Sequence, residues 1–288
     1  MANVKKALSN NVEGNIFVDE SCINCAACRH FAPATFADGG NYSLVKKQTE
    51  NDEEAFAAKQ AIISCPVAAI GMREREDLKA VKDSLPMEMA KNVYINGFNH
   101  RKSYGAHSYL IKSEAGNWLI DSPRFTPHLI KKFEEMGGIK YIFLTHQDDV
   151  GDAHRYAEHF GAQRIIHQFD SEVQKEAEII LEGTEAQIFD QAEIHYTPGH
   201  TKGHLTLLWD NKYLFTGDHY AWLSSLNQFG SFRSYCWDWQ KQIESVQLMA
   251  AFEKVEWVFP GHGKWGKIDE GQFPKVIRKS VDWMKKID

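Results

Sequence analysis

Short apolar runs alternate with helical patterns through the C-terminal two thirds of the chain. The runs are rich in β-branched and aromatic residues, as strands are, and they read "SYLIKS", "NWLID", "KYIFLTH", "RIIH", "LTLLW", "YLFTG" and "EWVFPG". Between them, "PHLIKKFEEMG" and "AHRYAEHFG" have apolar residues at helical spacing and end at glycine, a common helix stop. This alternation predicts an α/β domain built in layers.

The residues that can bind metals divide the chain into two parts. Residues 12–72 contain four of the five cysteines and one of the thirteen histidines, whereas residues 95–288 contain the other twelve histidines and one cysteine. The intervening stretch "REREDLKAVKDSLPMEMA" is charged and helical in composition, and Pro86 interrupts it. We therefore predict a first domain over residues 1–75, a linker over 76–92 and a second domain over 93–288.

Composition and charge restrict the classes of function. The 288 residues are 43% hydrophobic and 25% charged, as in ordinary globular proteins, and the net charge of −6 comes without a basic stripe, which argues against nucleic-acid binding. No apolar run approaches the ~18 residues of a membrane span, and the first residues lack the apolar core of a secretory signal. Clustered cysteines suit a reducing compartment. We expect a cytoplasmic protein that binds neither nucleic acid nor membrane.

Three cysteines near the N-terminus have the spacing of a polynuclear metal site. Cys22, Cys25 and Cys28 follow a C-x2-C-x2-C pattern, and "SCPVAAI" adds Cys65 with a proline after it. The stretch resembles bacterial ferredoxins, whose run C-x2-C-x2-C-x3-C-P gives its last cysteine to a second cluster. Here Ala32 takes that place and the proline remains. The resemblance implies a single [4Fe–4S] cluster bound by the four cysteines. A zinc site with four thiolates and structural or disulfide cysteines are the alternatives.

Four strand-like runs of the second part end in residues that bind metals. The motifs "FLTHQDD", "YTPGHTKGH", "LFTGDH" and "FPGHG" present His146, His200, Asp218 and His262. Several such strand ends can converge on one point. In order and spacing the motifs resemble the metallo-β-lactamase fold, an αββα sandwich, so the fold class is α/β with a small ferredoxin-like domain in front. The resemblance implies a mono- or dinuclear site with the three histidines as ligands and Asp218 as the bridge between metals.

The first of these motifs departs from the pattern of the family. The family's H-x-H-x-D-H is replaced by "HQDDVGDAH", so Asp148 stands at the second histidine and Val150 and Gly151 stand at the last two ligands. A carboxylate at the second place resembles the flavodiiron branch, which binds iron. If the loop bulges, Asp152 and His154 can replace the missing ligands. Otherwise we expect Asp152 to cap a helix and His154 to be exposed.

The remaining donors still predict one metal ion. These donors are His146, Asp148, His200 and Asp218. Their mixed nitrogen and oxygen atoms suit zinc or iron. A second ion depends on His262, which is either the ligand of a weak site or a residue that hydrogen-bonds beside the first. The candidate catalytic residues are Asp148 and Asp149, the latter as a general base or as a group that orients the ligands.

Three hypotheses for function follow from this two-part chain. The first is a hydrolase with a small-molecule substrate, in which the metal polarises an ester, thioester, amide or phosphoryl oxygen and lowers the pKa of bound water to about 7. The second is an iron-dependent oxidoreductase that uses the cluster for electron transfer. No G-x-G-x-x-G follows a strand, so the sequence implies no nucleotide cofactor. A separate redox partner protein must therefore supply or accept the electrons. The third is a non-catalytic redox sensor.

Overall fold

The N-terminal region contains two small sheets and two helices, seen in a computed structural model that describes residues 2–189 and 191–287. Its elements are the 3-10 helix Val4–Lys6, β1 (Ile16–Val18), α1 (Ala27–Phe31), β2 (Phe36–Asp38), β3 (Ser43–Val45), α2 (Asp52–Ser64) and β4 (Ile70–Met72). β1 pairs antiparallel with β4, and β2 pairs antiparallel with β3. The two helices pack on each other and leave a hollow beside the loop that precedes α1.

The stretch between the two parts is structured and joins the second one. Helix α3 (Lys79–Asp83) is followed by strand β5 (Met87–Ala90), which pairs antiparallel with β6 (Val93–Ile95). The sheet of the second part therefore starts inside the interval 76–92, which the sequence pattern predicts as a linker. The pattern misses β5 because the strand lies at a sheet edge with its side chains half-buried or exposed, so it lacks an apolar alternation.

A seven-stranded mixed sheet forms one layer of the sandwich. Its remaining strands are β7 (Tyr109–Ile111), β8 (Trp118–Ile120), β9 (Tyr141–Phe143), β10 (Gln163–His167) and β11 (Ile179–Leu181). Strands β8 to β11 are parallel neighbours, whereas β5 to β8 pair antiparallel. Helices α4 (Pro127–Glu135) and α5 (Ala153–Phe160) connect the parallel strands. The hydroxyl of Thr126 caps α4, and α5 ends at Gly161 in the left-handed conformation, as the helical patterns predict.

A six-stranded mixed sheet forms the second layer. Its strands are β12 (Gln187–Phe189), β13 (Ala192–Tyr196), β14 (Leu205–Trp209), β15 (Tyr213–Gly217), β18 (Trp257–Pro260) and β19 (Gly266–Lys267), in that spatial order, and only β15 and β18 pair in parallel. A separate pair, β16 (Ala221–Leu223) and β17 (Gln228–Gly230), follows β15. Two helices complete the layer, α6 (Trp239–Leu248) and α7 (Phe273–Met284). Further 3-10 helices span Gln147–Asp149, Gln168–Gln174, Arg233–Tyr235 and Met249–Ala251.

Burial on both faces puts the second sheet inside the sandwich. On β14, Leu207 and Trp209 belong to the core shared with the first sheet, whereas Leu208 belongs to the core beneath α6 and α7. Trp118 of β8 contacts Trp209 edge to face across the two sheets, with ring centroids 6.1 Å apart. These contacts confirm the predicted αββα arrangement.

The core that lies between the sheets continues into the N-terminal region. Phe31 of α1 and Val45 of β3 belong to the same buried cluster as Ile95 of β6 and Phe215 of β15. The two parts therefore pack as one body. Within the described residues, no helix has the length and apolar character needed to cross a membrane.

Candidate cluster site and metal centre

Four cysteine side chains line the hollow in the N-terminal region, and we refer to them as the cysteine site. Cys22 and Cys25 lie in the loop between β1 and α1, Cys28 lies in α1, and Cys65 directly follows α2. The chain enters α1 through Ala26 in the left-handed conformation (φ 65°), which turns the loop around the hollow. The structure thus brings together all four predicted cluster ligands.

Backbone N–H groups face sulfur at the cysteine site, and burial keeps its thiols from ionising on their own. The N–H groups of Asn24 and Ser43 each lie 3.4 Å from the Sγ of Cys22. Burial raises the pKa of Cys25 and of Cys28 to about 12, and the neighbouring thiols add to the rise through charge repulsion. Such thiols become thiolates when they bind iron, because the metal offsets the negative charge. Four thiols on one hollow with N–H groups aimed at sulfur therefore fit an iron–sulfur cluster.

The second candidate site lies where four strands of the sandwich end. His146 follows β9, His200 lies in the loop after β13, Asp218 directly follows β15, and His262 follows β18. The close approach of these ends requires Gly217, because a Cβ there would lie 2.5 Å from the Oγ1 of Thr145.

Two overlapping sets of ligand atoms meet at this point, each within 4.8 Å. One set is His146, Asp148 and His200, and the other is His146, Asp149 and Asp218. The Nε2 of His146 lies 3.8 Å from the Oδ2 of Asp148 and 3.8 Å from the Oδ2 of Asp218. The Nε2 of His200 lies 3.7 Å from the same Asp218 oxygen. The four residues predicted to bind one ion therefore lie together, and we call them the metal centre.

Buried atoms without partners mark the metal centre as a place for a cation. His146 is fully buried, and its Nε2 has no hydrogen-bond partner among the described residues. Neither carboxylate oxygen of the buried Asp149 has one. Such atoms are costly to leave unpaired, and a metal ion would satisfy them. Burial lowers the pKa of His146 to about 3, so the ring is neutral and its lone pair is free to bind.

The carboxylates of this site have opposite electrostatic surroundings. Burial, followed by the charges of Asp218 and Asp121, raises the pKa of Asp149 well above its usual range. Burial also disfavours the charged form of Asp218, but the adjacent His262 holds the pKa of that carboxyl below its ordinary value. The surroundings of Asp218 thus favour its charged form, whereas those of Asp149 disfavour the charged form.

His262 lies beside the metal centre but belongs to neither set of ligand atoms. Its Nδ1 is 2.8 Å from both carboxylate oxygens of Asp218, and its backbone N–H donates to Asp218 at 2.9 Å. Its Nε2 is 3.3 Å from the carbonyl oxygen of Tyr104. Both ring nitrogens of His262 thus face oxygen partners.

The two residues considered as substitute ligands lie elsewhere. Asp152 stands at the N-cap position of α5 without a capping hydrogen bond, and its carboxylate accepts instead from the backbone N–H of Phe125 at 2.9 Å. His154 is exposed on α5. A side chain at Gly151 has no room, because a Cβ there would lie 2.6 Å from the carbonyl oxygen of Ser122. The loop therefore has no room for a ligand side chain at Gly151, one of the two positions where the family pattern has further ligands.

Two buried aspartates hold the ligand loops, and the sequence assigns neither of them a role. Asp170 accepts hydrogen bonds from the backbone N–H of Gln147 at 3.2 Å and from the hydroxyl of Thr201, so it ties the His146 loop to the His200 loop. Asp121 accepts from the N–H of Thr145 at 2.9 Å and from its hydroxyl. Asp170 comes shortly after the strand-like run "RIIH", just as each predicted ligand comes after a strand-like run. This shared placement is the sequence signal that could have identified Asp170.

A comparison with protein families supports the assignment of the N-terminal region. Residues 18–72 match the model of the 4Fe-4S single cluster domain of Ferredoxin I. The matched segment contains all four residues of the cysteine site. The match confirms the predicted single-cluster ferredoxin domain.

Part of this chain is also similar to a curated protein. A hydroxyacylglutathione hydrolase from Pelagibacter ubique is 29% identical over 164 residues, which cover 54% of this chain. The alignment spans 66% of that relative, slightly less than two thirds of its length.

Solved structures share the sandwich. DIM-1 metallo-β-lactamase is 17% identical, with a TM-score of 0.55 over 70% of this chain and 96% of that one. TMB-1 is 18% identical, with a TM-score of 0.57 over 69% and 96% of the chains. The metallo-β-lactamase from Hirschia baltica is 16% identical, with a TM-score of 0.52 over 69% and 96%. This chain therefore has the metallo-β-lactamase fold, preceded by a single-cluster 4Fe-4S ferredoxin domain.

Proposed function

We propose that this protein is a metal-dependent hydrolase that binds one ion at the metal centre. The supporting observation is the unpaired Nε2 of His146, buried 3.8 Å from carboxylate oxygens of Asp148 and Asp218. Imidazole and carboxylate donors suit zinc or iron. An ion bound there would polarise a substrate oxygen and provide a water with a pKa of about 7.

Hydrogen bonds around His146 set its tautomer for metal binding. The hydroxyl of Thr145 donates to the buried Asp121, so its oxygen accepts from the Nδ1–H of His146 at 2.9 Å. The lone pair of His146 is then on Nε2, which faces the centre. Asp149 is the candidate general base, because its buried carboxylate lies beside His146 and Asp218 and neither of its oxygens has a hydrogen-bond partner among the described residues.

The substrate class that we propose is a thioester. Its support is the likeness of about half the chain to a hydroxyacylglutathione hydrolase. A thioester carbonyl needs only polarisation and attack by water, and both fit a single ion with a nearby carboxyl group.

A second candidate function is an iron-dependent oxidoreductase served by a redox partner protein. The observation that favours it is the short separation of the two sites. A Cβ at Gly105 would lie 2.7 Å from the Sγ of Cys25, and the adjacent carbonyl of Tyr104 contacts His262 beside the metal centre. The carboxylate of Asp148 also suits iron.

Anaerobic purification with elemental analysis, followed by a hydrolysis assay on a hydroxyacyl-glutathione thioester, tests these candidates. The hydrolase predicts about one zinc or iron equivalent beyond the cluster's own iron, and turnover that a chelator abolishes. Extra iron with an EPR signal that changes on reduction, and no turnover, favours the oxidoreductase. No metal beyond that of the cluster contradicts both.

A further inference from the structure

The segment Ser103–His107 of the second region touches the cysteine site. Gly105 has φ +88°, and a Cβ there would lie 2.7 Å from the Sγ of Cys25 and 2.9 Å from the Cγ of Pro66. Only glycine lets the backbone approach a cysteine sulfur so closely.

The same segment touches the border of the metal centre. The carbonyl oxygen of Tyr104, next to Gly105, faces the Nε2 of His262 at 3.3 Å. The backbone N–H of His107 donates to the carbonyl of Gly261 at 2.8 Å, so the segment contacts both His262 and the residue before it. One stretch of backbone therefore lies against a cluster ligand and against His262.

A buried group of rings fixes this segment between the two regions. The Nε2 of His107 lies 3.0 Å from the Nδ1 of His30, which belongs to α1 beside Cys28. Trp265 packs edge to face on His107, with ring centroids 5.3 Å apart. Asn99 donates to the carbonyl of Gly105 at 2.7 Å. Close-packed contacts of this kind transmit displacements instead of absorbing them.

We propose that His262 couples the cysteine site to the metal centre as a positioning residue, held between Asp218 and the Tyr104–Gly105 backbone, instead of binding a second metal. The occupied ring nitrogens of His262 support this assignment. An ion bound by Asp218 changes the hydrogen bond from His262, and the change reaches the cluster through Tyr104 and Gly105. The inference rests on the proposed ion at the metal centre. Coupling between two sites is reciprocal, so the charge of the cluster affects the affinity for that ion by the same factor.

The test measures the reduction potential of the cluster in metal-free and zinc-loaded protein by anaerobic titration with dithionite. Zinc is the probe because it does not itself change oxidation state. In the wild-type protein, zinc is expected to favour the reduced cluster about tenfold, which corresponds to ~59 mV for a one-electron couple. Reduction of the cluster is expected to tighten zinc binding by the same factor.

Three variants separate positioning from ligation. His262→Ala removes both hydrogen bonds, so we expect it to retain about one zinc equivalent while the effect of zinc on the cluster falls below about twofold. His262→Gln is expected to restore part of the effect through its amide group. His159→Ala is the matched control, because His159 pairs with Glu134 at the surface and should leave the effect unchanged.

Two results overturn the proposal. If His262→Ala loses zinc as completely as His146→Ala does, His262 is a ligand. Retention of the full tenfold effect in His262→Ala shows that the coupling bypasses it. Absence of zinc binding in the wild-type protein is a different failure, because it contradicts the metal centre itself.

Discussion

The cysteine site and the metal centre are assembled in opposite ways. The cysteine site takes three ligands from one loop and the start of α1, with a fourth from the end of α2, and backbone N–H groups of the same region face its sulfur atoms. The metal centre takes its ligands from the ends of β9, β13 and β15, and the carboxylates of Asp121 and Asp170 hold the loops. The first site therefore depends on a local turn, whereas the second requires the complete sandwich.

The largest effect that separates the two sites is expected from Cys65→Ala. This change removes the one ligand that lies outside the segment formed by the loop and α1, so the visible absorption of the cluster should be lost completely, while about one equivalent of metal stays at the metal centre. Absorption spectroscopy and elemental analysis measure both quantities. Cys236→Ala is the control and should keep the cluster, since Cys236 lies just before α6 and does not line the cysteine site. Loss of both metals from Cys65→Ala would show that the sites do not assemble separately.

His146→Ala is the reciprocal change and is expected to abolish metal binding at the metal centre. His146 belongs to both sets of ligand atoms, so no complete set remains without it. Thioester hydrolysis should disappear and the absorption of the cluster should persist. A variant that still holds a full equivalent of metal at this place would refute the assignment of His146.

The pH dependence of zinc uptake by protein stripped of cluster and metal should also distinguish the sites. Cys25 and Cys28, with pKa values of about 12, and Cys65, whose pKa burial also raises, must each release a proton, so zinc affinity at the cysteine site should rise at least about 1,000-fold per pH unit between about pH 6 and 8. His146, with a pKa of about 3, is already deprotonated in this range. At the metal centre the carboxyls of Asp148 and Asp149 have raised pKa values, so binding releases at most two protons from them and a rise of at most about 100-fold per pH unit is expected. Equal slopes in zinc titrations would contradict this difference.

The smallest of these effects is expected from Asp170→Asn. The variant weakens the hydrogen bonds that tie the His146 loop to the His200 loop. Because Asp170 bonds to neighbours of the ligands and not to the ligands themselves, we expect metal affinity to fall about 10-fold, the low end of the effect of losing a group bonded to a ligand. The cysteine site should not change. Zinc titration checks the result, with the exposed Asp282→Asn as the control; equal affinities for the two variants would argue against the role of Asp170.

The sequence predicted both folds because their signals are local. Cysteine spacing carried the resemblance to ferredoxins. The strand-like runs that end in His or Asp carried the resemblance to the metallo-β-lactamase fold and predicted that His146, His200 and Asp218 lie close together. Both folds are confirmed, while the roles of the metal-binding residues stay predictions.

The details that the sequence left open depend on distant contacts. Within one 3-10 turn, Asp149 is buried while Asp148 is half-exposed. The pattern of apolar residues in the sequence does not predict such a turn. The orientation of His262 depends on the carbonyl of Tyr104, which lies 158 positions away in the chain. Strand β5 was missed because an edge strand needs no apolar face.

The position of β5 limits how this protein can be cut into parts. A fragment that starts at residue 93 would lack β5 and expose the hydrogen-bonding groups of β6, which could then pair with another copy and promote aggregation. A fragment that keeps α3 and β5 retains the strand that pairs with β6, but it still exposes the surface that packs on the cysteine loop. Neither half is an independent building block for fusion proteins.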